Sequence, residues 1–202
     1  VKDSKSKGLD VVVIDDGSVD GTGPLAEKEG AFVIREEGRN GKGYSLRKGF
    51  EHALKAGYDG VIAMDGDGQH DPQELLDFVE RAKNEKSIVI VGNRLANAKG
   101  MPVVRYLTNV FMSSLISLVC RQHVPDTQCG YRYLSTDVVS NLNLTSMKFE
   151  IESEILIKAA RKGFKIVSIP IKTIYAEEES HINPISDTYR FFKYFLKELF
   201  TK

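Results

Sequence analysis

Cysteine is scarce in these 202 residues, with Cys120 and Cys129 the only two. They show no C-x-x-C spacing and no neighbouring histidine cluster, which excludes a zinc site or a disulfide framework and points to a reducing, cytosolic setting. An excess of either charge is missing too, since 28 Lys and Arg balance 28 Asp and Glu. No global field then draws the chain to nucleic acid or to an acidic partner, and any such attraction must come from local patches. Apolar runs fall short of the about eighteen residues needed to span a bilayer, and no signal-peptide pattern opens the chain. The expectation is a soluble or peripheral protein. This length suits one well-buried α/β domain and is short for two.

Short apolar runs that stop at carboxylates are what the chain does have. Val61-Ile-Ala-Met64 ends at Asp65-Gly-Asp67, followed by Gly-Gln-His-Asp-Pro72. The glycine between the two aspartates permits a tight turn, so both side chains can aim at one point beyond the strand. Hard oxygen ligands on an open space suit Mg²⁺ or Mn²⁺, which keep waters and take further ligands from substrate phosphates. Turn chemistry alone also uses Asp and Gly. A second strand, Val11–Ile14, ends at Asp15 and Asp16 and so repeats the design.

Strands are expected at 11–14, 31–34, 60–64, 88–92 and 165–174, alternating with helices at 23–29, 44–56, 72–84, 101–120 and 149–161. That alternation predicts an α/β domain with a mostly parallel central sheet flanked by helices. Leu46, Phe50, Ala53 and Leu54 form the inward face of one helix, and Leu75, Leu76, Val79 and Ala82 that of the next. The helix over 101–120 reads as amphipathic rather than membrane-spanning. Pro170 places the last strand at an edge or a bulge.

Between Arg35 and Gly43 lies a glycine-rich basic loop containing Lys42. It is either an anion cradle at a helix N-terminus or an ordinary surface loop; it matches neither the P-loop nor the dinucleotide fingerprint. His70 reads as a hydrogen-bonded turn residue or a ligand. Asn93-Arg94 closes a buried strand, and its guanidinium can hold a phosphate bidentately. The aromatic helix over 185–200 either packs on the domain or lies in a bilayer surface.

In order along the chain, Asp15-Asp-Gly-Ser18, Met64-Asp-Gly-Asp-Gly-Gln-His-Asp-Pro72, Gly92-Asn-Arg94 and Asp126-x-x-x-Gly-Tyr-Arg132 resemble the family-2 glycosyltransferases of the GT-A fold. Within that family the chain is most similar to the dolichyl-phosphate mannose synthase and polyprenyl-phosphate glycosyltransferase branch. The resemblance runs from about Leu9 to Phe192. It implies inverting transfer of a sugar from a nucleotide-sugar donor, with Mg²⁺ or Mn²⁺ held by Asp65 and Asp67 and with Gln69 alongside. It further implies that Asp15, Asp16, Lys42, Asp65 and Arg94 serve the donor, that Asp126 and Arg132 are catalytic, and that Arg132, with Ser180 and His181, also serves an acceptor phosphate.

Asp126 is the best-placed general base if the acceptor is a hydroxyl; a lipid phosphate is already an anion and needs none. Relatives begin with a strand ending in a Pro-x-Tyr-Asn-Glu type segment, which residues 1–9 do not match, so the domain over 1–202 is expected to lack that strand. Many carry Ser-Lys where this chain has Ser180-His181. The expected acceptor is a polyprenyl phosphate on the cytoplasmic face of a membrane. Alternatives are a saccharide or other hydroxyl acceptor, or a module that binds nucleotide-sugar without catalysis.

Overall fold

The computed structural model describes residues 1–172, 174, 194–196 and 198. Its strands are β1 (Val12–Asp16), β2 (Phe32–Glu36), β3 (Gly60–Ala63), β4 (Ile88–Asn93), β5 (Arg132–Ser135) and β6 (Lys165–Pro170). The helices are α1 (Lys2–Ser6), α2 (Thr22–Lys28), α3 (Lys42–Ala56), α4 (Leu75–Ala82), α5 (Val103–Cys120), α6 (Thr136–Asn141) and α7 (Ile151–Arg161). Short 3₁₀ turns follow Asp71 and Asn93, whose side chains cap them by accepting from Gln73 N–H and from the N–H groups of Leu95 and Ala96.

β1 and β2 pair in parallel, with Val12 opposite Phe32 and Asp16 opposite Glu36. The other four strands form a sheet in the order β3–β5–β4–β6. β4 and β6 run parallel, while β5 runs against both β3 and β4. The expected α/β domain is present, with β5 as its antiparallel member. Among the described residues no ladder joins β1 to β3, although α3 packs on both.

Burial follows from strand position. β4 is covered on both faces, and Ile88, Val89, Ile90 and Val91 are each 0% exposed. It is the continuous apolar run that a central strand requires. The equally apolar Val12, Val13 and Ile14 of β1 are only half-buried. β6 lies at the sheet edge, where the missing N–H of Pro170 breaks no internal ladder.

Several helical faces differ from expectation. Leu75 and Phe78 are buried and Ala82 packs on the core, spaced i, i+3 and i+7, so Leu76 is turned outward. Leu54 is exposed likewise. The polar opening of the chain forms the short helix α1 ahead of β1. Of the aromatic C-terminal helix, Tyr194–Leu196 and Glu198 are described. Phe195 is buried in the core and Arg161 pairs with Glu198, so this part packs on the domain.

The largest reversal is α5. It buries Asn109, Ser113, Ile116 and Cys120 while exposing Val103, Val104, Leu107, Phe111 and Leu118. By length and composition its 18 residues are apolar enough to cross a membrane, and 22% of it is buried. This corrects the expectation that no run approaches that length. On its inward side the helix carries polar Asn109 and Ser113 beside Ile116 and Cys120. Ser113 Oγ accepts from the N–H of Thr127 at 2.9 Å and meets Thr127 Oγ1 at 3.1 Å, anchoring the segment before β5.

Candidate active site

β3 delivers Met64 and Asp65 to the carboxyl end of the sheet, where Asp65 is fixed from two sides. Its N–H donates to His70 Nδ1 at 3.2 Å, and the His70 ring stacks on Tyr131 with centroids 4.8 Å apart. Burial lowers the His70 pKa, which favours the neutral ring that this acceptor role requires. The turn reading of His70 thus matches its place.

Lys42, at the start of α3, sets its ammonium 2.8 Å from Asp65 Oδ1 and 3.0 Å from Oδ2. The same nitrogen lies 2.7 Å from Glu152 Oε1 and 5.7 Å from the Phe149 ring centroid. Burial disfavours the charged lysine, but Glu152 and Asp65 outweigh it and its pKa is raised. Burial likewise opposes ionisation of Asp65, and Lys42 overcomes it, holding the carboxyl below its usual range. Asp67 is exposed, and its Oδ1 accepts from the N–H of Gln69 at 3.0 Å.

Gly130 explains how three charged groups share this space. A Cβ there would stand 2.6 Å from Asp65 Oδ2, 2.8 Å from Lys42 Nζ and 3.2 Å from Glu152 Oε1. The glycine between Asp126 and Arg132 is therefore the floor of the site.

The glycine-rich loop does hold an anion, but the anion is the chain's own Asp16. Asp16 Oδ1 accepts from Asn40 N–H at 3.0 Å and Nδ2 at 2.8 Å, and Oδ2 accepts from Gly41 N–H at 2.7 Å. Burial works against the charged form, and these donors reverse it, lowering its pKa. The N–H of Gly43 is spent on Met147 O at 2.9 Å. Asp15 is buried, accepts from Ser18 N–H at 2.9 Å and has Arg35 Nε at 3.3 Å. Asp16, expected to serve the donor, thus shapes the loop that presents Lys42, while Asp15 is held by Ser18 and Arg35.

Arg94 and Asp126 form a closed pair. Arg94 Nε donates to Asp126 Oδ2 at 2.8 Å, Nη2 donates to Oδ1 at 2.9 Å, and the backbone N–H of Arg94 adds a third bond at 3.1 Å. Asp126 is 0% exposed and Arg94 6%. The phosphate fork expected of Arg94 is occupied by a carboxylate. Arg132 departs further from expectation. It is buried, and Nε, Nη1 and Nη2 donate to the main-chain carbonyls of Cys129, Glu152 and Thr127, each at 2.6 Å. It braces the turn around Gly130 rather than offering its donors to a phosphate. Ser180 and His181 lie outside the described residues.

The sequence profile described as glycosyl transferase family 2 matches residues 1–142. The chain belongs to this family. This glycosyltransferase is 34% identical over 183 residues to the uncharacterized protein MJ1222 of Methanocaldococcus jannaschii, covering 88% of this chain and 75% of that one. It is 29% identical to the UDP-N-acetylglucosamine–dolichyl-phosphate N-acetylglucosaminyltransferase of Methanococcus voltae, covering 83% of this chain and 75% of the relative. In fold it resembles glucosyl-3-phosphoglycerate synthase of Mycobacterium tuberculosis, solved in complex with Mn²⁺, uridine diphosphate and glucosyl-3-phosphoglycerate. The TM-score is 0.69 at 16% identity, over 98% of this chain and 72% of that one. The enzyme takes its sugar from a nucleotide-sugar.

The glycosyltransferase's residues fit a small hard cation. Among the described residues no three His, Cys, Asp or Glu side chains cluster as a complete metal cage. Asp65 and Asp67, one drawing a cationic group and one exposed, are the residues that would hold such an ion, with phosphate and water supplying its further ligands. Sequence reasoning missed Glu152, and it found Gly130 only as one position of the Asp126-x-x-x-Gly-Tyr-Arg132 motif. Glu152 sits on a helix whose pattern reads only as core, and nothing in the spacing of either residue to Lys42 announces the contact.

Proposed function

We propose that this glycosyltransferase moves a sugar, with inversion, from a nucleotide-sugar to a polyprenyl phosphate at a membrane surface, using a divalent cation held by Asp65 and Asp67. The observation that carries the acceptor half is the Arg94–Asp126 pair. A hydroxyl acceptor must lose a proton to a base, and the carboxylate best placed for that in the sequence is 0% exposed with both oxygens bonded to Arg94. A phosphate acceptor arrives as an anion. Its oxygen attacks the anomeric carbon from the face opposite the diphosphate; the bond to the diphosphate breaks, and its electron pair departs with the nucleoside diphosphate.

The bound cation would stabilise charge growing on the leaving diphosphate without a proton transfer. Lys42 supplies a second positive group at the same place, kept charged by Glu152 and Asp65. His70 and Tyr131 hold the strand end that carries Asp65. The named activity of the Methanococcus voltae relative and the Mn²⁺ and uridine diphosphate of the structural neighbour support this reading.

α5 supports the membrane half. Its exposed Val104, Leu107, Phe111 and Leu118 form an apolar face. An open groove of about 770 Å³ beside it is lined by Leu95, Tyr106, Val110, Leu118, Arg121 and Val124. Such a face with a neighbouring basic residue suits a lipid interface better than water.

The test is sugar transfer from UDP-sugars, then GDP- and dTDP-sugars, to polyprenyl phosphate in liposomes with and without Mn²⁺, with the anomer read by NMR. Metal-dependent formation of an inverted lipid-linked sugar is expected. Transfer to a soluble saccharide but not to the lipid overturns the acceptor assignment. Leu107→Glu with Phe111→Glu should abolish flotation with the liposomes while leaving the fold intact by circular dichroism.

A further inference from the structure

The ammonium of Lys42 straddles both oxygens of Asp65, at 2.8 and 3.0 Å. Those are the oxygens that the proposed function assigns to a divalent cation, so two cations have claims on one carboxylate. Like charges drawn to the same carboxylate repel one another, so both cannot hold Asp65 undisturbed. Glu152 offers the lysine another place. Its Oε1 is 2.7 Å from Nζ, its side chain is 9% exposed, and it projects from α7 rather than from the strand ends.

Gly130 keeps the three groups in one space, because a single added methyl would meet Asp65, Lys42 and Glu152 together. The Phe149 ring, 5.7 Å from Nζ, favours a cation but fixes no direction. The lysine can therefore shift within its pocket without losing its charge.

We propose that Lys42 competes with the divalent cation for Asp65, and that Glu152 is a positioning residue which sets the outcome by retaining Lys42 when it leaves that carboxylate. Lys42 is then free to face the donor's diphosphate while still anchored to α7. The inference rests on the reading of Asp65 and Asp67 as metal ligands. It adds an ordered exchange in which lysine gives way as metal and donor arrive. Glu152 touches neither the sugar nor the reacting atoms and acts only through Lys42.

A double-mutant cycle on the full chain tests it, with Mn²⁺ alone as the probe and electron paramagnetic resonance reading free ion. Lys42→Met should bind Mn²⁺ about tenfold more tightly than wild type, the factor that ~1.4 kcal/mol of lost competition represents. Glu152→Gln should bind it more weakly, since Lys42 then has Asp65 as its remaining carboxylate. In the Lys42→Met background, Glu152→Gln should change nothing, which separates action through the lysine from a loss of negative charge nearby. Glu152→Asp should restore part of the affinity.

With Mn²⁺ saturating, uridine diphosphate should bind Lys42→Met more weakly, the reverse of the effect on bare metal. Thermal melting checks that each variant is folded. Equal Mn²⁺ affinity in wild type and Lys42→Met overturns the competition. An undiminished effect of Glu152→Gln without the lysine overturns the positioning role. Absence of Mn²⁺ binding in every folded variant, wild type included, overturns the metal reading and this inference with it.

Discussion

Asp126 and Asp65 both face a cationic side chain, buried Arg94 and half-buried Lys42, yet they are left in different states. Around Asp126 the guanidinium of Arg94 takes both oxygens in a fork, and a main-chain N–H adds a third bond. Around Asp65 a single lysine nitrogen bridges to Glu152, Asp67 stands exposed two residues on, and a glycine leaves space beneath. A planar fork satisfies a carboxylate completely, whereas an ammonium on a flexible stem satisfies it provisionally. The closed pair is therefore scaffold, and the provisional one is where a ligand can enter.

Breaking the closed pair should give the largest effect. Arg94→Met leaves the Asp126 carboxylate buried and uncompensated, which costs about 3–5 kcal/mol. For a domain of this size each kcal/mol lowers the melting temperature by about 2–4 °C, so calorimetry should register a fall on the order of 10 °C or more. Arg94→Met combined with Asp126→Leu should recover much of that loss, because a matched apolar pair removes the buried charge. A single variant as stable as wild type would mean that Asp126 is not held in the way described.

At the open site the pattern should reverse. Asp67→Asn keeps the size of an exposed side chain and should leave the melting temperature within about 1 °C, as surface substitutions do. Sugar transfer should nevertheless fall by about a hundredfold or more, the scale on which one charge-stabilising group is lost from an active site. Added Mn²⁺ should raise the melting temperature of wild type and not of the variant. Retained activity in Asp67→Asn would move the metal away from this strand end.

The same contrast explains what was legible in the sequence. Strand ends bearing Asp65 and Asp67 could be read because a short apolar run and a following carboxylate are adjacent in the chain. β4 was equally readable, since four consecutive apolar residues need cover on both faces. What could not be read was which carboxylate meets which cation. Arg94 pairs with a residue 32 positions away, and Arg132 with three carbonyls brought together by the turn at Gly130. An arginine at a strand's carboxyl end has the same sequence appearance whether its fork is free or filled. Which side of α5 faces inward was not legible for a related reason: Ser113 bonds Thr127, fourteen positions away, while much of the apolar side is left outside.

Glu154 provides a smaller and purely structural counterpart to Asp126, two residues from Glu152 on the same helix. It is 0% exposed and accepts from the N–H groups of Thr145 at 2.9 Å and Ser146 at 2.8 Å, with Lys158 Nζ at 2.6 Å. Burial disfavours its charge, but these donors prevail and hold its pKa below the ordinary 4.5. Between the lowered folded value and 4.5 the unfolded chain binds a proton that the folded chain does not. The contribution is complete above the unfolded value and is lost as pH falls through the folded one. Stability measured by urea melts should thus decline below about pH 4.5, and Glu154→Gln should flatten that part of the slope while costing about 1 kcal/mol at neutral pH. Its effect on Mn²⁺ affinity should be nil, in contrast to Glu152→Gln one half-turn away. If Glu154→Gln weakened the metal as Glu152→Gln is expected to, the difference between a closed and a provisional carboxylate would not account for the proposed cation site.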